Sequence, residues 1–239
     1  MDESNGISIK NLSLIRGNKE LYRDFSINFE KNKTTALLAP SGSGKTSLLD
    51  AIAGLVPYNS GIIECQKNEK SLSISYLFQE PRLLPWTNVF NNCLLPIEKL
   101  FSMKEAKKRV NHFLTLCSLI DKKNIPPSHL SGGEKQRCAL ARTFIYPAPI
   151  MLIDEAFHSQ DIVLKEQLYF LFKSMLQNEP RTVLLVTHDI NEAILLADRI
   201  VVLQHKRNEN YLNVYLDKNK NEISNKKIKE EFIKILSGG

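Results

Sequence analysis

Residues 34–46 read Thr34-Thr35-Ala36-Leu37-Leu38-Ala39-Pro40-Ser41-Gly42-Ser43-Gly44-Lys45-Thr46. The first five are uncharged, as in a short strand covered on both faces. Pro40 and a Gly/Ser turn end the run, and Thr46 opens a predicted helix that reaches Ala53 and stops at Gly54. Strand, glycine turn, Gly-Lys-Thr and helix in that order make a phosphate-binding loop. The glycines let backbone N–H groups turn inward, and the helix end adds partial positive charge. Lys45 is aimed at β- and γ-phosphates, the Thr46 hydroxyl at Mg²⁺, and Pro40, Ser41, Gly42, Ser43, Gly44 and Ser47 complete the cradle. A plain connecting turn is the competing reading, and it leaves the coincidence of all four features unexplained. Ala39 stands where the motif has glycine. If that position needed a positive φ, alanine would cost about 1 kcal/mol.

Around this loop, strands and helices alternate, which predicts an α/β fold on a mainly parallel sheet. Residues 7–15 and 25–29 alternate like strands, and Phe25, Ile27 and Phe29 share one face. Together they predict an N-terminal antiparallel β subdomain, and short strands follow near 61–65 and 74–79. From about 86 to 146 the pattern turns helical, an α-helical subdomain inserted into the P-loop core. Ser102 and Glu105 form a capping box before a stripe of Ala106, Val110, Phe113, Leu114 and Cys117. A second helix starts at Ser131. Strands are expected at 150–153, 183–186 and 200–203, with helices between them, one headed by Asp189 and Glu192. The tail reads as a strand at 211–216 and a helix carrying Ile228, Phe232, Ile235 and Leu236.

The chain has 239 residues, 43% apolar and 24% charged, with a formal net charge of +6. These values exclude collagenous, disordered and disulfide-scaffold classes. The lysines are dispersed, so the charge selects no partner. The four cysteines, Cys65, Cys93, Cys117 and Cys138, form no C-x-x-C pair and read as thiols in a reducing compartment. Neither a membrane-spanning run nor a signal peptide is legible, so an intracellular chain is expected.

Ile150-Met151-Leu152-Ile153-Asp154-Glu155 is an apolar strand ending in two carboxylates. Behind a phosphate loop, Asp154 would hold Mg²⁺ and Glu155 would act as general base on water. Leu130-Ser131-Gly132-Gly133-Glu134-Lys135-Gln136-Arg137 heads the second helix. Ser131 and Glu134 can close a capping box, while Gly132 and Gly133 leave the helix end open to an anion. A second anion-receiving helix end is best explained by a second molecule's nucleotide.

The ordered set of Ala39–Thr46, Gln79, Leu130–Arg137, Ile150–Glu155, Asp161 and His188 resembles the ATP-binding cassette family over nearly the whole chain. The resemblance implies one nucleotide-binding domain over residues 1–239, ATP and Mg²⁺ as cofactors, and a head-to-tail homodimer sandwiching two nucleotides. Ser131, Gly132, Gly133 and Glu134 would then meet ATP held by the other copy. It further implies that Gln79 touches Mg²⁺ or the attacking water, that Asp161 contacts the partner, and that His188 contacts the γ-phosphate and positions Glu155. Arg16 occupies the position where the family has an aromatic residue that stacks on adenine, with Tyr22 the alternative. Ala156 replaces a usual proline, Ser159 and Gln160 replace a small apolar pair, and Asn32 replaces a turn glycine.

Tyr76–Val89, with Leu83-Leu84-Pro85-Trp86, is similar to importer ATPases for nitrate, sulfonate or taurine, and thiamine-precursor-type solutes. That branch implies ATP hydrolysis at the cytoplasmic face of the membrane. It implies transmembrane permease subunits and a separate solute-binding protein as partners, and no nucleic acid. Trp86 reads either as core of the helical subdomain or as an exposed surface receiving a permease helix. The alternatives are a cassette ATPase acting on nucleic acid or ribosomes, an exporter subunit, and a binding module unable to hydrolyse. Lys45, Asp154, Glu155 and His188 argue against the last.

Overall fold

The computed structural model describes residues 5–39, 42–65, 74–157, 162–203, 211–215 and 230. They fall into two compact units, residues 1–66 with 181–239, and residues 67–180.

In the first unit, β1 (Asn5–Arg16) pairs antiparallel with β2 (Lys19–Glu30) and β4 (Ser60–Cys65). Both strands of the hairpin run further than simple alternation predicts. The reason is local: Asn11 and Asp24 take φ of 50° and 47°, and the register slips between Ile9 and Leu12 and again between Leu12 and Leu14. These irregularities shift which side chains face inward, so Tyr22 and Phe25 are both buried although three residues apart.

β3 (Thr34–Leu38) lies between β7 (Thr182–Thr187) and β8 (Arg199–Leu203), parallel to both. Every residue of β3, β7 and β8 is buried, which is why these strands read as unbroken runs rather than alternating ones. β9 (Tyr211–Tyr215) adds antiparallel to β8, where the tail strand was expected. Asn32 takes φ 57° in the turn before β3, a conformation asparagine tolerates, and its N–H donates to Thr182 Oγ1 at 3.1 Å. α1 (Lys45–Ile52) follows β3, and α6 (Ile190–Leu196) packs on β3 and β7.

In the second unit, β5 (Ile74–Leu77) runs parallel to β6 (Ile150–Asp154). α2 (Val89–Leu94), α3 (Met103–Leu116) and α4 (Gly132–Ile145) pack on one another, and α5 (Ile162–Asn178) packs on α4. The Ser102–Glu105 capping box is formed, and Ala106, Val110, Phe113 and Leu114 are the buried face of α3, as expected. Phe113, Phe144, Phe172 and Phe157 contact one another in succession, the first pair stacked, the second edge-on and the third tilted, with ring centroids 6.3, 6.1 and 5.7 Å apart, and join three helices through one aromatic core. Arg109 caps the C-terminus of α4 through the carbonyls of Phe144 and Ile145 at 3.0 and 2.7 Å, and pairs with Glu179 at 2.7 Å. Cys93, Cys117 and Cys138 are buried free thiols, and burial pushes the Cys65 thiol up to about 11. The tail helix expected around Ile228, Phe232, Ile235 and Leu236 lies outside the described residues, apart from helical Glu230. Among the described residues no helix is long and apolar enough to cross a membrane.

Candidate functional site

The first unit carries the phosphate loop. β3 delivers Ala39, which is fully buried and does not take a positive φ, so the alanine causes no strain there. Pro40 and Ser41 lie outside the described residues. Gly42 and Gly44 adopt φ of 75° and 92°, the left-handed turns that the motif predicts. Gly44 is the N-cap of α1 and has no side chain with which to cap it, the kind of helix end that suits an anion. A Cβ on Gly44 would sit 3.2 Å from both Leu21 Cβ and Tyr22 Cε2. Lys45 is only 5% exposed, and its ammonium spans the loop to the Ala39 carbonyl at 2.9 Å. Thr46 is exposed and Ser47 half-buried in the first turn of the helix. His188 follows β7, half-buried, between Thr187 and Asp189. Thr187 Oγ1 accepts from the Asp189 N–H at 3.0 Å, while Asp189 Oδ1 accepts from Asn191 and Glu192, so His188 is held by a capped turn.

Arg16 ends β1, half-buried, beside Gly17 at φ 57°. Tyr22 is 7% exposed, packs its ring 5.0 Å from Phe25 and lies against Gly44, and burial pushes its hydroxyl pKa up. Tyr22 therefore packs against the phosphate loop, and of the two residues Arg16 is the more exposed.

The second unit carries the remaining groups. Asp154 ends β6, buried at 7% exposure, and Glu155 follows it half-buried with φ 45°. A glutamate in the left-handed region is uncommon and concentrates at functional turns. Gln79 departs from expectation: β5 stops at Leu77, opposite Ile153, and Gln79 lies two residues beyond, exposed. Its segment is held from both sides. Phe78 stacks on Tyr76 at 4.1 Å, the Arg82 guanidinium lies 3.9 Å from the centre of the Phe78 ring, and Arg142 of α4 donates to the Pro81 and Arg82 carbonyls at 2.8 and 2.9 Å.

α4 opens with the expected motif. Ser131 Oγ accepts from the Glu134 N–H at 3.3 Å, and Glu134 accepts from the Ser131 N–H at 3.0 Å, closing the capping box. Ser131 and Gly132 are exposed, Gly133 is buried. Lys122 pairs with Glu134, and this bond, more than the Ser131 N–H, holds the carboxyl below its ordinary range. One turn on, Gln136 is buried and its amide donates to the Ala156 carbonyl at 2.5 Å, one residue past Glu155. Thus α4 bonds directly to the turn after Glu155 and to the segment after Gln79. Motif reading spans Gln136 but assigns it no role, because its partner lies 20 residues away. Asp161, with Ser159 and Gln160, lies outside the described residues.

The model of the ABC transporter family matches residues 22–158, more than half of the chain. The chain belongs to the ABC transporter family. It is an ATP-binding ATPase of that family, and it is similar to two curated relatives over most of its length. One is the aliphatic sulfonates import ATP-binding protein SsuB 1 of Paracoccus denitrificans, 37% identical over 84% of this chain and 80% of the relative. The other is the corresponding protein of Zymomonas mobilis, 37% identical over 84% and 83%. Among solved structures, a dimeric ATP-binding cassette in a post-hydrolysis state with ADP and Pi matches with a TM-score of 0.75 and 27% identity, covering 88% of this chain and 99% of that one.

Proposed function

We propose that this chain is one nucleotide-binding domain that energises import of an organosulfonate, working at the cytoplasmic face of the membrane with permease subunits and a separate solute-binding protein. The observation that carries this reading is the similarity, over most of the chain, to curated import ATP-binding proteins whose names specify aliphatic sulfonates. The exposure of one aromatic side chain supports it. Trp86 is 78% exposed, so it is not the core residue that one sequence reading allowed, and it offers a permease helix an apolar seat.

Lys45 holds the β- and γ-phosphates, the N–H groups of the loop and of α1 bind their oxygens, and Arg16 stacks on the base. Glu155 takes a proton from water as the water oxygen attacks the γ-phosphorus and the bond to the β-phosphate oxygen breaks, leaving ADP and phosphate. His188 and Gln79 orient the γ-phosphate and the water. The Thr46 hydroxyl, the Asp154 carboxylate and the Gln79 amide oxygen are hard oxygen donors that suit Mg²⁺, which would supply positive charge to the phosphates. Two copies pair head to tail, with Ser131, Gly132, Gly133 and Glu134 of one facing the ATP of the other and Asp161 at the contact.

The test is uptake of a labelled alkanesulfonate by cells lacking this gene. Uptake should be lost, restored by the wild-type chain and not by Lys45→Ala. Undiminished uptake in the deletion strain would overturn the substrate class, and Mg²⁺-ATPase activity retained by Lys45→Ala would overturn the site.

A further inference from the structure

Lys19 opens β2 directly across the two-residue Gly17-Asn18 turn from Arg16, with which it pairs in the ladder. The side chain is exposed, yet its ammonium donates to the Gly42 carbonyl of the phosphate loop at 2.9 Å. The strand that carries Lys19 is anchored through β1 to a three-stranded sheet, so the reach of this ammonium is set by the sheet.

The loop it touches is built to pivot. Gly42 and Gly44 lack the Cβ that would restrict their backbones, and both are already in the left-handed region. The peptide between Gly42 and Ser43 can therefore rotate at little steric cost. Ser43 does not fix it from the side: this residue is buried, and its hydroxyl has no hydrogen-bond partner. In a trans peptide the C=O and the following N–H point to opposite sides, and no peptide among the described residues is cis. A cation that holds the Gly42 carbonyl toward the hairpin therefore turns the Ser43 N–H away from the hairpin.

We propose that Lys19 is a positioning residue for nucleotide phosphate: it locks the Gly42–Ser43 peptide so that the Ser43 N–H faces a phosphate oxygen. The proposal rests on reading residues 39–46 as the nucleotide cradle. It adds to that reading a residue far from the motif in sequence, one that acts through the backbone rather than on the ligand. Polarisation of the same peptide by the ammonium also strengthens the Ser43 N–H as a donor.

The test compares Lys19→Met, which keeps the stem and removes the charge, with Lys19→Arg, which restores a donor. Binding of ATP and of inorganic tripolyphosphate is measured by calorimetry on the full chain. Lys19→Met should weaken both by about tenfold, the lower end of the range for a hydrogen bond to a charged group because the ammonium is exposed. Lys19→Arg should recover most of the loss, and the ligand-free melting temperature should stay at the wild-type value. In turnover, KM for ATP should rise with kcat nearly unchanged. Unchanged tripolyphosphate affinity in Lys19→Met would overturn the proposal. So would a deficit that vanishes in about 1 M salt, because that marks a through-space charge rather than a held peptide. If Lys19→Met lowers the ligand-free melting temperature, Lys19→Ala repeats the comparison with the same two outcomes. Failure of the cradle itself is separate and shows as Lys45→Ala binding tripolyphosphate as tightly as wild type.

Discussion

Helices α1 and α4 begin in opposite ways. α1 starts at Gly44, with no side-chain cap and no acidic residue in its first turn. α4 starts at Ser131 with both arms of a capping box closed, and its acidic member, Glu134, is tied to Lys122. The first helix end has a glycine at its N-cap, which can offer no side chain to close it, and Lys45 stands at its first position. The second satisfies itself, so the chain is stable there without a ligand. What it still offers is the Ser131 hydroxyl proton and an exposed glycine backbone at Gly132. On the proposed function the contrast separates two tasks: α1 would bind phosphate in its own chain, and α4 would present a preformed surface to a nucleotide brought by another copy.

The sharpest way to break this comparison is to disable one end at a time. Lys45→Ala removes the charge from the open end and should abolish measurable ATPase while the fold persists. Near-normal turnover would sink the assignment of α1. For the closed end, Glu155→Gln should trap ATP and shift the chain from monomer to dimer on size exclusion in saturating ATP and Mg²⁺. Adding Ser131→Arg should prevent that shift without weakening ATP binding to the monomer. Should the double variant still dimerise, the N-terminus of α4 is not the surface that meets the second nucleotide.

A subtler separation uses the glycines. A Cβ at Gly44 meets Leu21 and Tyr22 at 3.2 Å on a backbone at φ 92°, whereas a Cβ at Gly132 meets nothing within 4 Å. Gly44→Ala should therefore lower stability by about 1–3 kcal/mol and ATP affinity at least tenfold. Gly132→Ala should leave the ligand-free unfolding midpoint within about 0.5 kcal/mol of wild type. Urea unfolding of both variants decides it, and equal losses would mean that the two helix ends are built alike.

Much of this site is legible in the sequence because its parts are local. β3, β6 and β7 are short enough and buried enough to read as apolar runs, and the phosphate loop, Asp154-Glu155 and the capping box at Ser131 each declare themselves within eight residues. The misses are of another kind. The hairpin β1–β2 hides its length because the irregularities near Asn11 and Asp24 break the period of two. Tyr76 to Gln79 continues with strand-forming residues, but the ladder runs out at Leu77 opposite Ile153, which only the partner strand reveals. Trp86 looks like core material. It is exposed, two residues after Leu84, whose N–H and carbonyl are both bonded by buried Asn92 at 2.7 and 3.1 Å. The bonds from Lys19 to Gly42 and from Gln136 to Ala156 join residues 23 and 20 apart, and no local pattern encodes them.

The smallest expected effect concerns what keeps the second helix end closed. Glu134→Gln preserves the capping geometry, since glutamine can also reach back to the Ser131 N–H, but it removes the charge that Lys122 holds. The Glu134 carboxyl is held below its ordinary value of 4.5, chiefly by the bond from Lys122 and then by the Ser131 N–H. A carboxyl depressed in the folded state contributes stability above its unfolded value, and that contribution is lost as pH falls through the folded value. Wild type should therefore exceed Glu134→Gln by a constant margin of under about 1 kcal/mol from pH 8 down to about 5, because the pair is partly exposed. Below 4.5 the margin should close, since a protonated Glu134 behaves much like glutamine. Urea midpoints of the two chains across that range measure it, and about 1 M salt at pH 7 should shrink the same margin by screening. A margin that stays constant down to pH 3 would mean that Lys122 contributes nothing, and that the α4 end is closed by the capping box alone.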